Sequence, residues 1–77
     1  MPRYFFYIRE GDEFIPDEEG MEFANVDSAW IEAVESIRDL VIQSLRNNRP
    51  IAGLMIEIAD ANGNILGSVS AGDIIKH

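Results

Sequence analysis

Met1-Pro2-Arg3-Tyr4-Phe5-Phe6-Tyr7-Ile8-Arg9 opens the chain and holds four of its seven aromatic residues in one unbroken run. In a strand, successive side chains point to opposite faces. Tyr4, Phe6 and Ile8 then share one face, and Phe5 and Tyr7 share the other with the water-seeking Arg3 and Arg9. The first face supplies a core. The second leaves two large rings to be covered, either by another element of the chain or by another chain.

Working outward, Glu10-Gly11-Asp12 reads as a hairpin tip, because glycine takes positive φ at little cost. Phe14-Ile15 returns as a short strand and Pro16 stops it, lacking the N–H that a ladder needs. Asp17-Glu18-Glu19-Gly20 follows as a charged loop, then Met21-Glu22-Phe23 as a further short extended segment. Asn25 is placed to cap a helix, with Asp27 at the positive end of its dipole.

From there Val26, Ala29, Trp30, Ala33, Val34, Ile37, Leu40, Val41 and Leu45 recur at steps of three and four, one apolar stripe over about five turns. Asn47 or Asn48 can take the left-handed conformation that ends a helix. Arg46 and Arg49 suit its negative end, and Pro50 forbids continuation. Trp30 lies on the stripe and is expected in the core. Ile31 and Ile42 lie on the opposite side, among charged residues.

Gly53 to Ala59 alternates, with Leu54, Ile56 and Ile58 inward and Met55, Glu57 and Ala59 outward. Asp60-Ala61-Asn62-Gly63-Asn64 is a turn. Ile65 to Ser70 returns as a strand that Ala71-Gly72-Asp73 breaks. Ile74-Ile75 either packs or forms a loose apolar tail. The reading is an α+β fold in the order β-β-α-β-β. An antiparallel sheet carries one long helix on one face, all within a single small domain, residues 1–77. Trp30, Val34, Ile37 and Val41 should meet Tyr4, Phe6, Leu54, Ile56 and Ile58. The sheet's second face keeps Phe5, Tyr7 and Met55, with Leu66 beside them, as a candidate interface for a homodimer or an unidentified protein partner. The competing expectation is that Ile74-Ile75 or Met21-Glu22-Phe23 folds over these rings within one chain.

Composition narrows the function. Seventy-seven residues hide only roughly 60–65% of their unfolded surface, so the stability margin is thin. With no cysteine, disulfides and thiolate metal sites are excluded, and oligomerisation is the remaining way to widen that margin. Fourteen acidic against six basic residues give a formal charge of −8, which disfavours nucleic acid and anionic membranes, since both are held by clustered cations. No stretch approaches the roughly 18–20 apolar residues of a membrane span, and no signal-peptide pattern opens the chain. A soluble, cytoplasmic protein is expected.

Catalytic chemistry is not expected. His77 is the only histidine, and no nucleophile has a base beside it. Asp60-Ala61-Asn62-Gly63-Asn64 begins like a calcium loop, but its sixth and twelfth places hold Ile65 and Ala71 where glycine and glutamate are required. The acidic loop Asp17 to Glu22 lacks metal-site spacing. No catalytic, cofactor-binding or metal residues are assigned.

Met1-Pro2-Arg3-Tyr4-Phe5-Phe6, Gly11-Asp12 and Ile15-Pro16-Asp17-Glu18-Glu19-Gly20 resemble a family of small uncharacterised bacterial proteins frequent in rhizobia and related alphaproteobacteria. The likeness extends over the helix after Asn25 and the hairpin near Asp60 to Gly63. It implies the fold and no activity. Members often carry histidine where Tyr7 stands, so no imidazole role carries over. A looser likeness is to HicB-type antitoxin domains, which also set a hairpin before a long helix and would imply neutralising a small basic toxin. The Pro-Gly-Cys segment those domains place before the helix is missing here.

Overall fold

A computed structural model describes residues 1–75. Seven elements follow one another: β1 (Arg3–Glu10), β2 (Glu13–Ile15), β3 (Met21–Glu22), α1 (Val26–Arg46), β4 (Leu54–Ala59), β5 (Ile65–Ser70) and α2 (Ala71–Ile75). The sheet runs β2-β1-β4-β5, antiparallel throughout. Segment β3 joins β1 further along, opposite Arg3 and Tyr4. The expected β-β-α-β-β order is therefore present, with two short additions, β3 and α2. Among the described residues no helix is long and apolar enough to cross a membrane.

Helix α1 begins and ends on local chemistry. The Asn25 side-chain oxygen accepts the Ser28 N–H at 2.9 Å, which satisfies a donor the first turn leaves free. At the other end Asn48 is left-handed (φ 56°). Its N–H donates to Leu45 O at 3.3 Å and that of Arg49 to Ser44 O at 2.8 Å, the paired closure of a Schellman motif. Pro50 follows.

The buried line of α1 is Ala29, Ala33, Ile37, Val41 and Ser44. It packs over Leu54, Ile56 and Ile58 of β4 and Val69 of β5, with Tyr4, Phe6 and Ile8 of β1 partly buried around it. Phe23 joins from the loop after β3, its ring 5.9 Å from Phe6 and 6.1 Å from Tyr4. Ile74 of α2 is partly buried against the same core. Neither Phe23 nor Ile74 therefore turns toward Phe5 and Tyr7.

Trp30 corrects the expectation of a buried tryptophan: it is 40% exposed. Two alanines on the buried line bring helix and sheet close together, leaving no room between them for an indole. The ring is displaced to the rim, where Gly67 of β5 offers no side chain; a Cβ built there would meet Trp30 Cζ3 at 3.1 Å. Ala59 is a second correction. Expected outward, it is fully buried, because its ladder partners on either side are the large Phe5 and Ile65.

The two loops of note are closed by aspartates. In the β4–β5 loop, Gly63 N–H closes a turn on Asp60 O at 3.0 Å, with Gly63 itself at φ 86°. Beyond it Ile58 pairs with Gly67 and Ala59 with Ile65, so Leu66 is the extra residue of a β-bulge. After β5, Ser70 and Asp73 form a capping box: Asp73 N–H donates to Ser70 Oγ at 3.3 Å, and Ser70 N–H to Asp73 Oδ2 at 3.1 Å.

Candidate functional site

The face of the sheet opposite α1 holds all three residues of the expected interface, Phe5, Tyr7 and Met55, each partly buried. It does not treat them alike. Phe5 lies against the Pro16–Gly20 loop, and Gly20 sits so close that a Cβ there would come within 2.8 Å of both its ring and the Tyr4 carbonyl oxygen. Gly20 also has φ 70°, a conformation that costs other residues about 1–2 kcal/mol. Phe5 is thus packed within the chain.

Tyr7 is packed differently. Its ring lies 5.6 Å from that of Phe14, tilted by 59°. Phe14 pairs with Arg9 across the two-residue Gly11-Asp12 turn, which puts it on this face. It is 46% exposed. The Arg9 guanidinium lies 4.7 Å above its ring and donates through Nε to Glu57 Oε1 at 2.8 Å. A cation over a ring at a wet site contributes about 0.5–1 kcal/mol, and an exposed ion pair no more. These contacts order the face more than they stabilise it. Met55, opposite Arg9 in register, borders an apolar hollow of about 420 Å³ shared with Ile51 and Ala52.

Phe14 and the Arg9–Glu57 pair were not among the expected site residues. The signal was available: a two-residue turn puts Phe14 opposite Arg9, on the face that β1 parity gives to Tyr7. Leu66, expected nearby, is 47% exposed at the bulge. Ile31 and Ile42 are exposed on the back of α1, as their helix angles imply.

Asp17 explains the acidic loop. Its Oδ2 accepts the Phe6 N–H at 3.1 Å, in the stretch of β1 left open between β2 and β3. Its Oδ1 accepts the N–H groups of Glu19 and Gly20 at 3.3 and 3.0 Å. One carboxylate replaces a missing rung and folds the loop. Arg3 fixes the far side, donating to Glu19 O at 2.8 Å, with Glu22 Oε2 3.7 Å from its guanidinium.

Asp60 does comparable work in the β4–β5 loop. Its Oδ1 accepts the N–H groups of Asn62 and Asn64, both at 2.9 Å, and its Oδ2 the Asn64 side-chain amide at 3.2 Å. These bonds hold its carboxyl below the ordinary value of 3.8. The Asn64 N–H is the largest cause, partial desolvation opposes it, and the Asn64 amide and the Asn62 and Gly63 N–H groups add to it. Among the described residues no group of three or more His, Asp or Glu side chains is placed to hold a metal ion. His77 lies outside the described residues.

Residues 3–72 match a family described as a domain of unknown function, DUF6894. The chain belongs to this family. No curated protein and no solved structure matches it. The family carries no assigned activity, so the functional reading rests on the surface itself.

Proposed function

We propose that this DUF6894 chain is a non-catalytic interaction module that pairs with a second copy of itself through the open face of the sheet. The observation that carries the reading is the contrast between that face and the rest of the chain. Its charged strand residues are Arg3, Arg9, Glu22 and Glu57, joined as Arg3–Glu22 and Arg9–Glu57. The net charge of −8 therefore belongs to the remainder of the chain. Around Arg9 and Glu57 the charges balance, so two acidic copies can meet there, while the Asp17, Glu18 and Glu19 loop lies at the Phe5 end of the face. Tyr7, Phe14 and Met55 supply apolar area at the centre, where aromatic residues and methionine are favoured. Most homo-oligomers have two-fold symmetry, in which each copy offers the same patch. Arg9 of one copy can then reach Glu57 of the other, exchanging one ion pair for another.

The test is sedimentation equilibrium over a concentration series, on the wild type and on the double substitution Tyr7→Ser and Phe14→Ser. Phe5 is spared, because its ring supports the Pro16–Gly20 loop. The expected result is a wild-type dimer that the double variant loses while keeping its far-ultraviolet circular dichroism. A wild type that stays monomeric at high concentration, or a dimer the double variant retains, overturns the proposal.

A further inference from the structure

The inner, helix-side end of the hairpin carries a feature that self-association does not use. Glu10 and Glu13 face one another on the last rung of β1 and β2, next to Ile8 opposite Ile15. Like charges directly opposed in a ladder destabilise it. Glu10 and Arg49 line two adjoining hollows of about 200 and 290 Å³; the smaller lies between the hairpin and the end of α1, and the larger, which Glu13 also lines, lies between the hairpin tip and the segment after α1. The lining of the smaller joins the apolar Ile8, Ile15, Leu40 and Leu54 to the polar Gln43, Ser44 and Asn47.

Arg49 enters on a fixed backbone and a loose side chain. Its N–H is held by Ser44 O at 2.8 Å, while its side chain is 64% exposed and its Nη1 lies 3.9 Å from Glu10 Oε2. That separation is too long for a hydrogen bond. The two hollows thus share one loosely paired cation, Arg49, and one carboxylate, Glu10, with Glu13 on the larger and the apolar side chains on the smaller.

The geometry points to a binding site for a small zwitterion with an apolar side chain, a free aliphatic α-amino acid. A simple anion would meet Glu10 and Glu13, and a simple cation would compete with Arg49. A zwitterion answers both: its carboxylate takes Arg49, its ammonium takes Glu10 and Glu13, and one loose pair is replaced by two charge-assisted ones. The side chain lies between Ile15 and Leu40 in the smaller hollow. The cleft opens on the helix side of the sheet, so this site and the proposed dimer face are separate and can fail separately.

The test is an amide chemical-shift titration of the whole chain with L-leucine. Parallel arms use N-acetyl-leucine, leucinamide and glycine, which lack the ammonium, the carboxylate and the apolar side chain in turn. Saturable shifts are expected at Gly11, Asn47 and Arg49 with leucine, and affinity weaker by about tenfold or more in each other arm, the loss of one such contact. Arg49→Ala and Glu13→Gln, both at exposed positions, should each weaken leucine to a similar degree with the rest of the spectrum unchanged. No saturable shift with leucine overturns the proposal. So does N-acetyl-leucine or leucinamide binding as well as leucine, or binding unaffected by both substitutions. The oligomeric state, measured in the same samples, bears only on the dimer.

Discussion

The two faces of the sheet are built from opposite materials. Between α1 and the sheet, the fully buried large side chains are Ile37, Leu54, Ile56 and Ile58, and Ala29 and Ala33 are fully buried beside them. On the other face stand Tyr7, Phe14, Met55, Arg9 and Glu57, none of them buried, the aromatic rings and the arginine among them larger than any buried side chain. Size and burial are therefore uncoupled here. Small residues on the helix let two regular elements approach, and close approach makes a dry core. Bulky residues on a flat, uncovered surface keep one side wet. The first face stabilises this chain by itself, and the second is the one we propose for the partner copy.

That contrast breaks most readily at Ile37. Ile37→Ala should cost about 2–5 kcal/mol, through lost transfer energy and an unfilled cavity. At this size a loss of that order lowers the melting temperature by roughly 10 °C or more. Tyr7→Ser, measured at a dilution where only monomer is present, should cost about 1 kcal/mol, because only part of its ring leaves water on folding. Chemical denaturation of the two variants side by side decides it. Equal losses would mean that the outer face is as much a core as the inner one.

Most of the inner face was legible because its signals are local. The Asn25 cap, the Asn48 and Pro50 stop, the alternation of Leu54, Ile56 and Ile58, and the two turns each depend on residues a few places apart. What was not legible depends on distance between elements. Hydrophobicity alone orients the helix stripe and so puts Trp30 in the core; which of its residues is innermost depends on how closely the backbones approach, and Ala29, Ala33 and Gly67 set that. Asp17 looked like part of a solvated acidic loop because its partner, the Phe6 N–H, lies eleven residues away. The Ser70 and Asp73 capping box is as local as the Asn25 cap, but Ala71-Gly72-Asp73 reads as a strand break because glycine interrupts the alternation.

Asp17 yields the next prediction, and it concerns the edge where the faces meet. Asp17→Ala leaves the Phe6 N–H and two loop N–H groups without their acceptor. A buried donor left unpaired costs about 1–3 kcal/mol. Asp17→Asn, which keeps one acceptor oxygen, should fall between the alanine variant and wild type. Hydrogen exchange supplies the local reading: the Phe6 amide should lose protection in Asp17→Ala while the Ile56 and Ile58 amides are slowed or hastened only in step with global stability. An unchanged Phe6 amide would show that the loop holds itself by other means, and that Gly20 against Phe5 suffices.

The smallest expected effect belongs to Asp60, whose contribution depends on pH. Its carboxyl is held below 3.8 by the N–H groups it accepts, so the ionised form is favoured more in the folded chain than in the unfolded one. The sign follows. The stabilisation is fully present above the unfolded value of 3.8, and it is lost as pH falls through the lower folded value. Asp60→Asn cannot ionise and lacks this dependence. Other carboxylates titrate over the same range, so the informative quantity is the difference in melting temperature between wild type and Asp60→Asn as pH is lowered. That difference should hold constant at neutral and weakly acidic pH and shrink only below 3.8. A difference that shrinks well above that point, or never, would mean that the β4–β5 loop does not depend on an ionised Asp60. The turn would then be sustained by Gly63 and the backbone bonds alone.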